Sequence, residues 1–253
     1  MCFKYLLKKK TREHIMTEVN STELNDWDDC SILKSSVLRG IYAHGFDRPS
    51  PIQKRGIIPL ITKIKIGDKN ERRPDIIAQA QSGTGKTGCF SVGVLNIADP
   101  DIKKTQAVIL APTHELASQI YSVVNSIGQF CKLTIQLLVG GTPVDKDKEL
   151  LDNNTPHIVV GTPGRIHDMM RRKYLKTDDI SIIVLDEADE MLSCGFKDQM
   201  YKIFQFMRND LQIALFSATM PYELEELTKA FMENPIKILV KAEMLTLQGI
   251  SQW

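Results

Sequence analysis

Seven short apolar runs punctuate the chain, at residues 75–79, 106–111, 134–139, 157–160, 181–185, 212–216 and 236–240. Each has a core rich in strand-forming residues, as in Ile182-Ile183-Val184-Leu185. Unbroken apolarity over so short a span predicts strands buried on both faces, the condition of a parallel sheet covered by helices. Between the runs lie segments with helical signals, at 31–44, 88–98, 113–130, 163–173, 196–207 and 221–232, and Pro163 and Pro221 stand where a first-turn proline is expected. The alternation predicts an α/β fold: a doubly wound, mainly parallel sheet flanked by helices, with right-handed crossovers. In such a sheet ligands gather outside the carboxyl ends of the strands.

Two segments stand outside this rhythm. Residues 1–22 are polar and basic at first and carry no clear period, so a mobile amino-terminal extension is expected there. Residues 66–74, with Gly67-Asp68-Lys69-Asn70-Glu71-Arg72-Arg73, read as an exposed loop whose charges are a solvated surface.

At 253 residues the chain suits one large domain with extensions better than two domains. Lysine plus arginine number 32 against 31 acids. That balance supplies no bulk attraction to polyanions, so any nucleic-acid contact must come from local patches and backbone donors. No apolar run approaches the roughly 20 residues of a membrane helix. Phe3 to Leu7 is too short for a signal core and has Lys8-Lys9-Lys10 on its wrong side. The five cysteines are scattered, with no Cys-x-x-Cys and no histidine at zinc spacing. Reduced thiols, and hence a soluble cytoplasmic protein without a membrane partner, are expected.

Chemistry concentrates after two of the runs. Ala80-Gln81-Ser82-Gly83-Thr84-Gly85-Lys86-Thr87 follows the first and opens a helical segment. Gly83 and Gly85 let the backbone fold back with several N–H groups aimed at one point, and the helix dipole favours the same anion. Lys86 supplies a mobile charge for β and γ phosphates, and the Thr87 hydroxyl is placed for a Mg²⁺ shell. Ala80 replaces the glycine with which this pattern usually begins, a change tolerable at negative φ.

Val184-Leu185-Asp186-Glu187 then sets two acids at the end of a buried strand. Taken alone, such a pair also suits a helix N-terminus. Beside a phosphate loop it suits a nucleoside triphosphate site, with Asp186 on Mg²⁺ and Glu187 orienting or deprotonating a water. The expected catalytic residues are Lys86, Asp186 and Glu187. Thr87 and Asp186 are the expected metal ligands.

Asp186-Glu187-Ala188-Asp189 is also the signature that names the DEAD-box RNA helicases, and the chain resembles the amino-terminal, RecA-like domain of that family from about Trp27 onward. Gly45-Phe46-Asp47-Arg48-Pro49-Ser50-Pro51-Ile52-Gln53 looks like its adenine-reading segment, with Trp27 as the upstream aromatic. The resemblance implies that Phe46 stacks on adenine and Gln53 bonds its edge, an amide being able to present donor and acceptor together. ATP binding is thereby assigned to Phe46, Arg48, Gln53, Gln81, Ser82, Gly83, Thr84, Gly85, Lys86 and Thr87. Pro112-Thr113-His114-Glu115, Gly140-Gly141 and Thr162-Pro163-Gly164-Arg165 resemble the RNA face of the family's first domain. Pro112, Thr113, Glu115, Gly140, Gly141, Thr162, Pro163, Gly164 and Arg165 are the RNA contacts so implied. Loop amides, helix N-termini and small hydroxyls grip phosphates without reading bases. His114 stands where the family usually has arginine, which weakens one contact. Ser217-Ala218-Thr219 matches the family's motif that couples hydrolysis to RNA opening, which implies hydroxyl bonds to the carboxylates near Asp189, with Asp189, Ser217 and Thr219 as the coupling residues.

The resemblance implies an ATP-dependent RNA helicase using ATP and Mg²⁺. It would act as a monomer on single strands or short duplexes of RNA without sequence preference, with helicase-stimulating scaffold proteins as partners. The expected layout is an extension at 1–22, the ATP-binding domain at 23–243, and an interdomain linker at 244–253. The family's second domain and its arginines are expected to be absent. A missing arginine finger can cost about 10³–10⁵ in rate, so the isolated chain is expected to be nearly inactive. The alternative is a non-catalytic, nucleotide-gated RNA clamp or scaffold, against which the intact Glu187 argues. A metabolic kinase would leave the adenine-reading and RNA-side segments unexplained.

Overall fold

The computed structural model describes residues 23–29, 31–66 and 70–240. The extension expected at 1–22 and the linker expected at 244–253 lie outside the described residues.

All seven apolar runs are strands. In chain order the elements are α1 (Ser35–Ala43), α2 (Pro51–Ile61), β1 (Ile64–Ile66), β2 (Asn70–Arg72), β3 (Ile76–Gln79), α3 (Lys86–Ile97), β4 (Ala107–Leu110), α4 (His114–Gly128), β5 (Ile135–Leu138), α5 (Val144–Asn153), β6 (Ile158–Gly161), α6 (Pro163–Arg171), β7 (Ile182–Leu185), α7 (Ala188–Ser193), α8 (Lys197–Gln205), β8 (Gln212–Ser217), α9 (Tyr222–Phe231) and β9 (Ile236–Leu239). β3 to β9 form one sheet in the order β5-β6-β4-β7-β8-β3-β9, and its pairings are parallel.

The unbroken apolar runs follow from burial on both faces. In β4, Ala107 and Ile109 face a core built with α1 to α4, while Val108 and Leu110 face one built with α6, α8 and α9. β7 divides in the same way, with Ile182 and Val184 on the first side and Ile183 and Leu185 on the second. Pro163 opens α6 as expected, whereas Pro221 stands one residue ahead of α9, as its N-cap.

Two corrections concern the local elements. The expected exposed loop at 66–74 is instead largely an antiparallel hairpin, in which β1 and β2 pair Ile64 with Arg72 and Ile66 with Asn70. Ile64-Lys65-Ile66 has the β-branched alternation of a strand, which the surrounding charges obscured. Residues 67–69 lie outside the described residues. Asp75, the first residue of the following apolar run, is buried and accepts hydrogen bonds from the Ile213 and Glu233 amides at 2.9 and 2.7 Å. Its carboxylate therefore ties the start of β3 to β8 and to the turn before β9. Three helices were also not anticipated, although Ser50-Pro51-Ile52-Gln53 gives α2 the capping box of a helix start. α2 contains Pro59, α5 is mostly charged, and α7 has six residues.

α1 approaches α4 at Gly40, where an added Cβ would stand 1.8 Å from the Ile127 carbonyl oxygen. Backbone atoms cannot yield as a flexible side chain can. The close approach matters to function because α1 leads into Phe46 and α4 begins beside Thr113. Gly40→Ala is expected to lower stability by about 2–3 kcal/mol, read as a fall in the urea midpoint at unchanged m-value.

Candidate functional site

Six strands deliver their candidate residues to one edge of the sheet, that of the carboxyl ends: β3, β4, β5, β6, β7 and β8. β3 ends in the glycine-rich loop and β7 in Asp186, with β8 between them. Leu185 pairs with Leu215, and Ser217 with Gln79, so both halves of the nucleotide signature emerge level with the end of β8.

The loop is a closed cradle. Gly85 takes a left-handed conformation at φ 95° immediately before α3, and the Thr84 hydroxyl donates to the Gln81 carbonyl at 2.7 Å. Lys86 is buried, donating to the Ala80 carbonyl at 3.0 Å and to Glu187 at 3.1 Å. Ser82 reaches the same carboxylate at 3.3 Å. Glu187 is thus held across the mouth of the loop by a charge and a hydroxyl. It is also left-handed, at φ 46° and ψ 54°, a conformation that costs a non-glycine residue about 1–3 kcal/mol and recurs where function demands it.

Asp186 lies deeper. Its side chain is buried, and Oδ1 has no hydrogen-bond partner in the chain. Burial, then the neighbouring Glu187, pushes its carboxyl up to about 7, against the pull of Lys86. An orphaned buried carboxylate oxygen is costly without a cation. Among the described residues no group of three or more histidine, cysteine or acidic side chains forms a metal cage. One or two oxygen ligands completed by water and phosphate are the usual manner of Mg²⁺, so the donors here fit that ion.

The adenine-side residues sit directly on the phosphate loop. Gln53 is buried, its Oε1 accepting from the Ser50 amide at 2.8 Å and its Nε2 donating to the Gly85 carbonyl at 3.1 Å. The amide keeps one N–H and one lone pair beyond these bonds. The half-buried Phe46 lies against the first turn of α3, where a Cβ on Gly88 would come within 2.8 Å of the ring. His44, which the sequence did not single out, meets Phe46 edge-on with centroids 4.7 Å apart, and its Nδ1 is 2.7 Å from the Ser126 hydroxyl. Arg48 and Gln81 are exposed, and Thr87 is half-buried. Trp27, by contrast, is fully buried in the core and does not reach the site.

The residues after β8 bridge the two halves. Asp189 accepts from the Thr219 hydroxyl at 2.5 Å and from the Thr219 amide at 3.0 Å. Its own amide donates to the Ser217 hydroxyl at 3.4 Å, and Ser217 donates to the Thr219 carbonyl at 2.8 Å. Burial raises the Asp189 carboxyl, but the bonds from Thr219 and Ser217 outweigh it and hold the group below its ordinary value. An open cleft of roughly 510 Å³ runs from Ser82 past Glu187, Asp189 and Thr219 to Leu116 of α4.

The remaining candidates line the other half of the same edge. Thr113 caps α4, its hydroxyl accepting from the Leu116 amide at 3.2 Å, with His114 and Glu115 exposed beside it. The Glu115 carboxyl is held below its ordinary value by its own backbone N–H and then by the Thr113 hydroxyl. Pro112 is buried under this turn. Gly140 and Gly141 form an exposed turn after β5, and Thr162 stands at the N-cap of α6, which Pro163 and Gly164 open. Arg165 departs from the expected picture. Its side chain points inward, to Thr142 and Asp147, instead of standing free for a phosphate. Neither partner carried a sequence signal, because a threonine in a turn and an acid in a helix's first turn are ordinary.

The family model described as DEAD/DEAH box helicase matches residues 50–227 of this sequence. The chain belongs to that family. It is 51% identical over 236 residues to the "ATP-dependent RNA helicase eIF4A" of Chaetomium globosum, covering 93% of this chain and 57% of that protein. Among solved structures, Dbp5 of S. cerevisiae bound to RNA and ADP BeF3 matches with a TM-score of 0.75 at 36% identity, over 90% of this chain and 55% of that one. A Dbp5 variant bound to a variant of gle1 and to ip6 matches with a TM-score of 0.76 at 37% identity, over 87% of this chain and 54% of that one. The family chain described here therefore spans a little over half the length of these relatives.

Asp186 gives the site a measurable signature in the metal-free and nucleotide-free protein. At pH 8 Asp186→Asn should raise stability by about 1–3 kcal/mol, because it removes a buried charge and keeps the shape. A carboxyl whose folded value lies near 7 rather than the ordinary 3.8 takes up a proton on acidification and steadies the native state as pH falls through that window. The advantage of the asparagine variant should accordingly shrink below pH 7. Urea titrations of both proteins across that range check this, and a less stable variant at pH 8 contradicts it.

Proposed function

We propose that this chain is the ATP-binding domain of an ATP-dependent RNA helicase, and that the protein containing it opens short RNA duplexes. The supporting observation is the placement of phosphate loop, acid pair and phosphate-gripping turns on one sheet edge, with the Asp189–Ser217–Thr219 bonds between them. A metabolic kinase has no use for the second half of that edge.

On this reading Phe46 stacks on adenine, and the free N–H and lone pair of Gln53 read its edge. Arg48 and Gln81 border the same pocket. The amides of residues 82–87 receive the phosphates. Lys86 then exchanges Glu187 for a phosphate oxygen, which releases the Glu187 carboxylate to orient the attacking water and accept its proton. Thr87 and Asp186 would hold Mg²⁺, which when bound neutralises charge on the β and γ phosphates. Asp189, Ser217 and Thr219 carry the state of the nucleotide toward α4, since Asp189 and Thr219 share a cleft with Leu116.

RNA meets the turns at Pro112, Thr113 and Glu115, at Gly140 and Gly141, and at Thr162, Pro163, Gly164 and Arg165. These offer backbone donors and hydroxyls, so a sequence-independent grip on the strand is expected. A role in translation initiation, a cytoplasmic location, a monomeric state and recruitment by scaffold proteins belong to the same reading. They draw on the likeness to eIF4A and to gle1-bound Dbp5. No helix among the described residues is long and apolar enough to cross a membrane.

Equilibrium titration with a fluorescent ADP analogue, followed by competition with ADP and GDP, tests the nucleotide assignment. Lys86→Ala should weaken binding at least about ten-fold, Phe46→Ala should weaken ADP and GDP alike, and Gln53→Ala should erase most of the preference for adenine over guanine. Equal affinity in Lys86→Ala would sink the assignment. In the protein containing this chain, Glu187→Gln should reduce RNA-stimulated ATP hydrolysis by about 10²-fold or more. Undiminished turnover there would favour a different base, and unaltered biological output without hydrolysis would favour the clamp.

A further inference from the structure

Asp147 belongs to none of the motifs above, yet two segments of the RNA-side edge converge on it. The Arg165 guanidinium, in the first turn of α6, donates to the Thr142 hydroxyl at 2.9 Å, to the Thr142 carbonyl at 2.7 Å, and to Asp147 Oδ2. The Thr142 hydroxyl also lies 3.3 Å from Asp147 Oδ2 and 3.2 Å from the Val139 carbonyl. Thr142 ends the Gly140-Gly141 turn after β5, and Asp147 lies in the first turn of α5. The side chains of Arg165 and Asp147 are only 9% and 5% exposed.

A guanidinium so buried is retained only with a partner, and its planar fork fixes the orientation of whatever it bonds. Without the carboxylate, Arg165 would be an uncompensated buried charge and would turn toward water. The turn whose carbonyl it holds would be released with it.

We propose that Asp147 is a positioning residue for RNA binding: it holds Arg165, and through it the Gly140–Thr142 turn, in the arrangement that receives the strand. This rests on the reading of these turns as the RNA face. The inference has a sign opposite to simple electrostatics. Removing an acid beside a polyanion site ordinarily strengthens binding or leaves it unchanged. Here removal weakens it.

The test uses the protein containing this chain, with Mg²⁺, a non-hydrolysable ATP analogue and fluorescein-labelled oligouridine, followed by anisotropy over a salt series. Asp147→Asn should weaken RNA binding on the order of ten-fold, with a salt slope no steeper than that of wild type, because the turn it releases loses phosphate contacts. Asp145→Asn, an exposed acid in the same helical turn, should bind as tightly as wild type or tighter. Thermal melts confirm that each variant is folded. Should Asp147→Asn fail to fold, Thr142→Val removes the hydroxyl that bridges the pair and is expected to weaken binding a few-fold. Wild-type affinity in the folded Asp147→Asn protein, or in Thr142→Val where that substitutes for it, overturns the inference and leaves the RNA reading intact. Absence of RNA binding by the wild type under these conditions overturns both.

Discussion

Parallel pairing is the constraint on which the rest of this domain depends. Strands that all run one way send all their carboxyl ends to one edge, so every β-to-α connection contributes to a single surface. The strand order then decides what meets what. Because β8 alone lies between β3 and β7, the strands that carry the phosphate loop and the facing acids are two strand spacings apart, about 10 Å. The residues that follow that intervening strand are the ones bonded to Asp189. Adjacency in the sheet thus does the work that a dedicated linkage would otherwise need.

A second regularity concerns charge. Three of the site's buried donors are already engaged within the chain: Lys86 with Glu187, Gln53 with Gly85, Arg165 with Asp147. Each bond satisfies a buried donor that would otherwise be costly. The Lys86 bond must also be exchanged for a phosphate contact, whereas those of Gln53 and Arg165 stay in place and hold their side chains in position. A near-neutral chain with Lys86 and Arg165 paired has little long-range pull on nucleic acid, and its selectivity comes from geometry at contact.

The sheet was legible in the sequence because burial on both faces leaves an unmistakable mark: seven apolar runs became seven strands. The loops at their ends were legible through glycine, lysine and paired acids, whose spacing is dictated by phosphate and metal chemistry. Elements that draw their stability from neighbours were not. α2 holds a proline and packs on α3, and the hairpin of β1 and β2 was hidden by charge. Asp147 and His44 were invisible for a related reason. Their partners are distant in sequence, at Arg165 and Ser126, and nothing local announces a pairing across helices. The resemblance to a helicase family gave Arg165 an outward task, whereas the fold gives it an inward one.

The left-handed backbone at Glu187 carries a consequence for how this domain can change over time. A glycine or asparagine would occupy φ 46° with less strain, so either replacement would relax the native chain. Either would also remove the carboxylate that meets Lys86. At this position drift toward a sturdier fold and retention of the acid pull in opposite directions, and only continued use of that acid can keep the less comfortable residue in place.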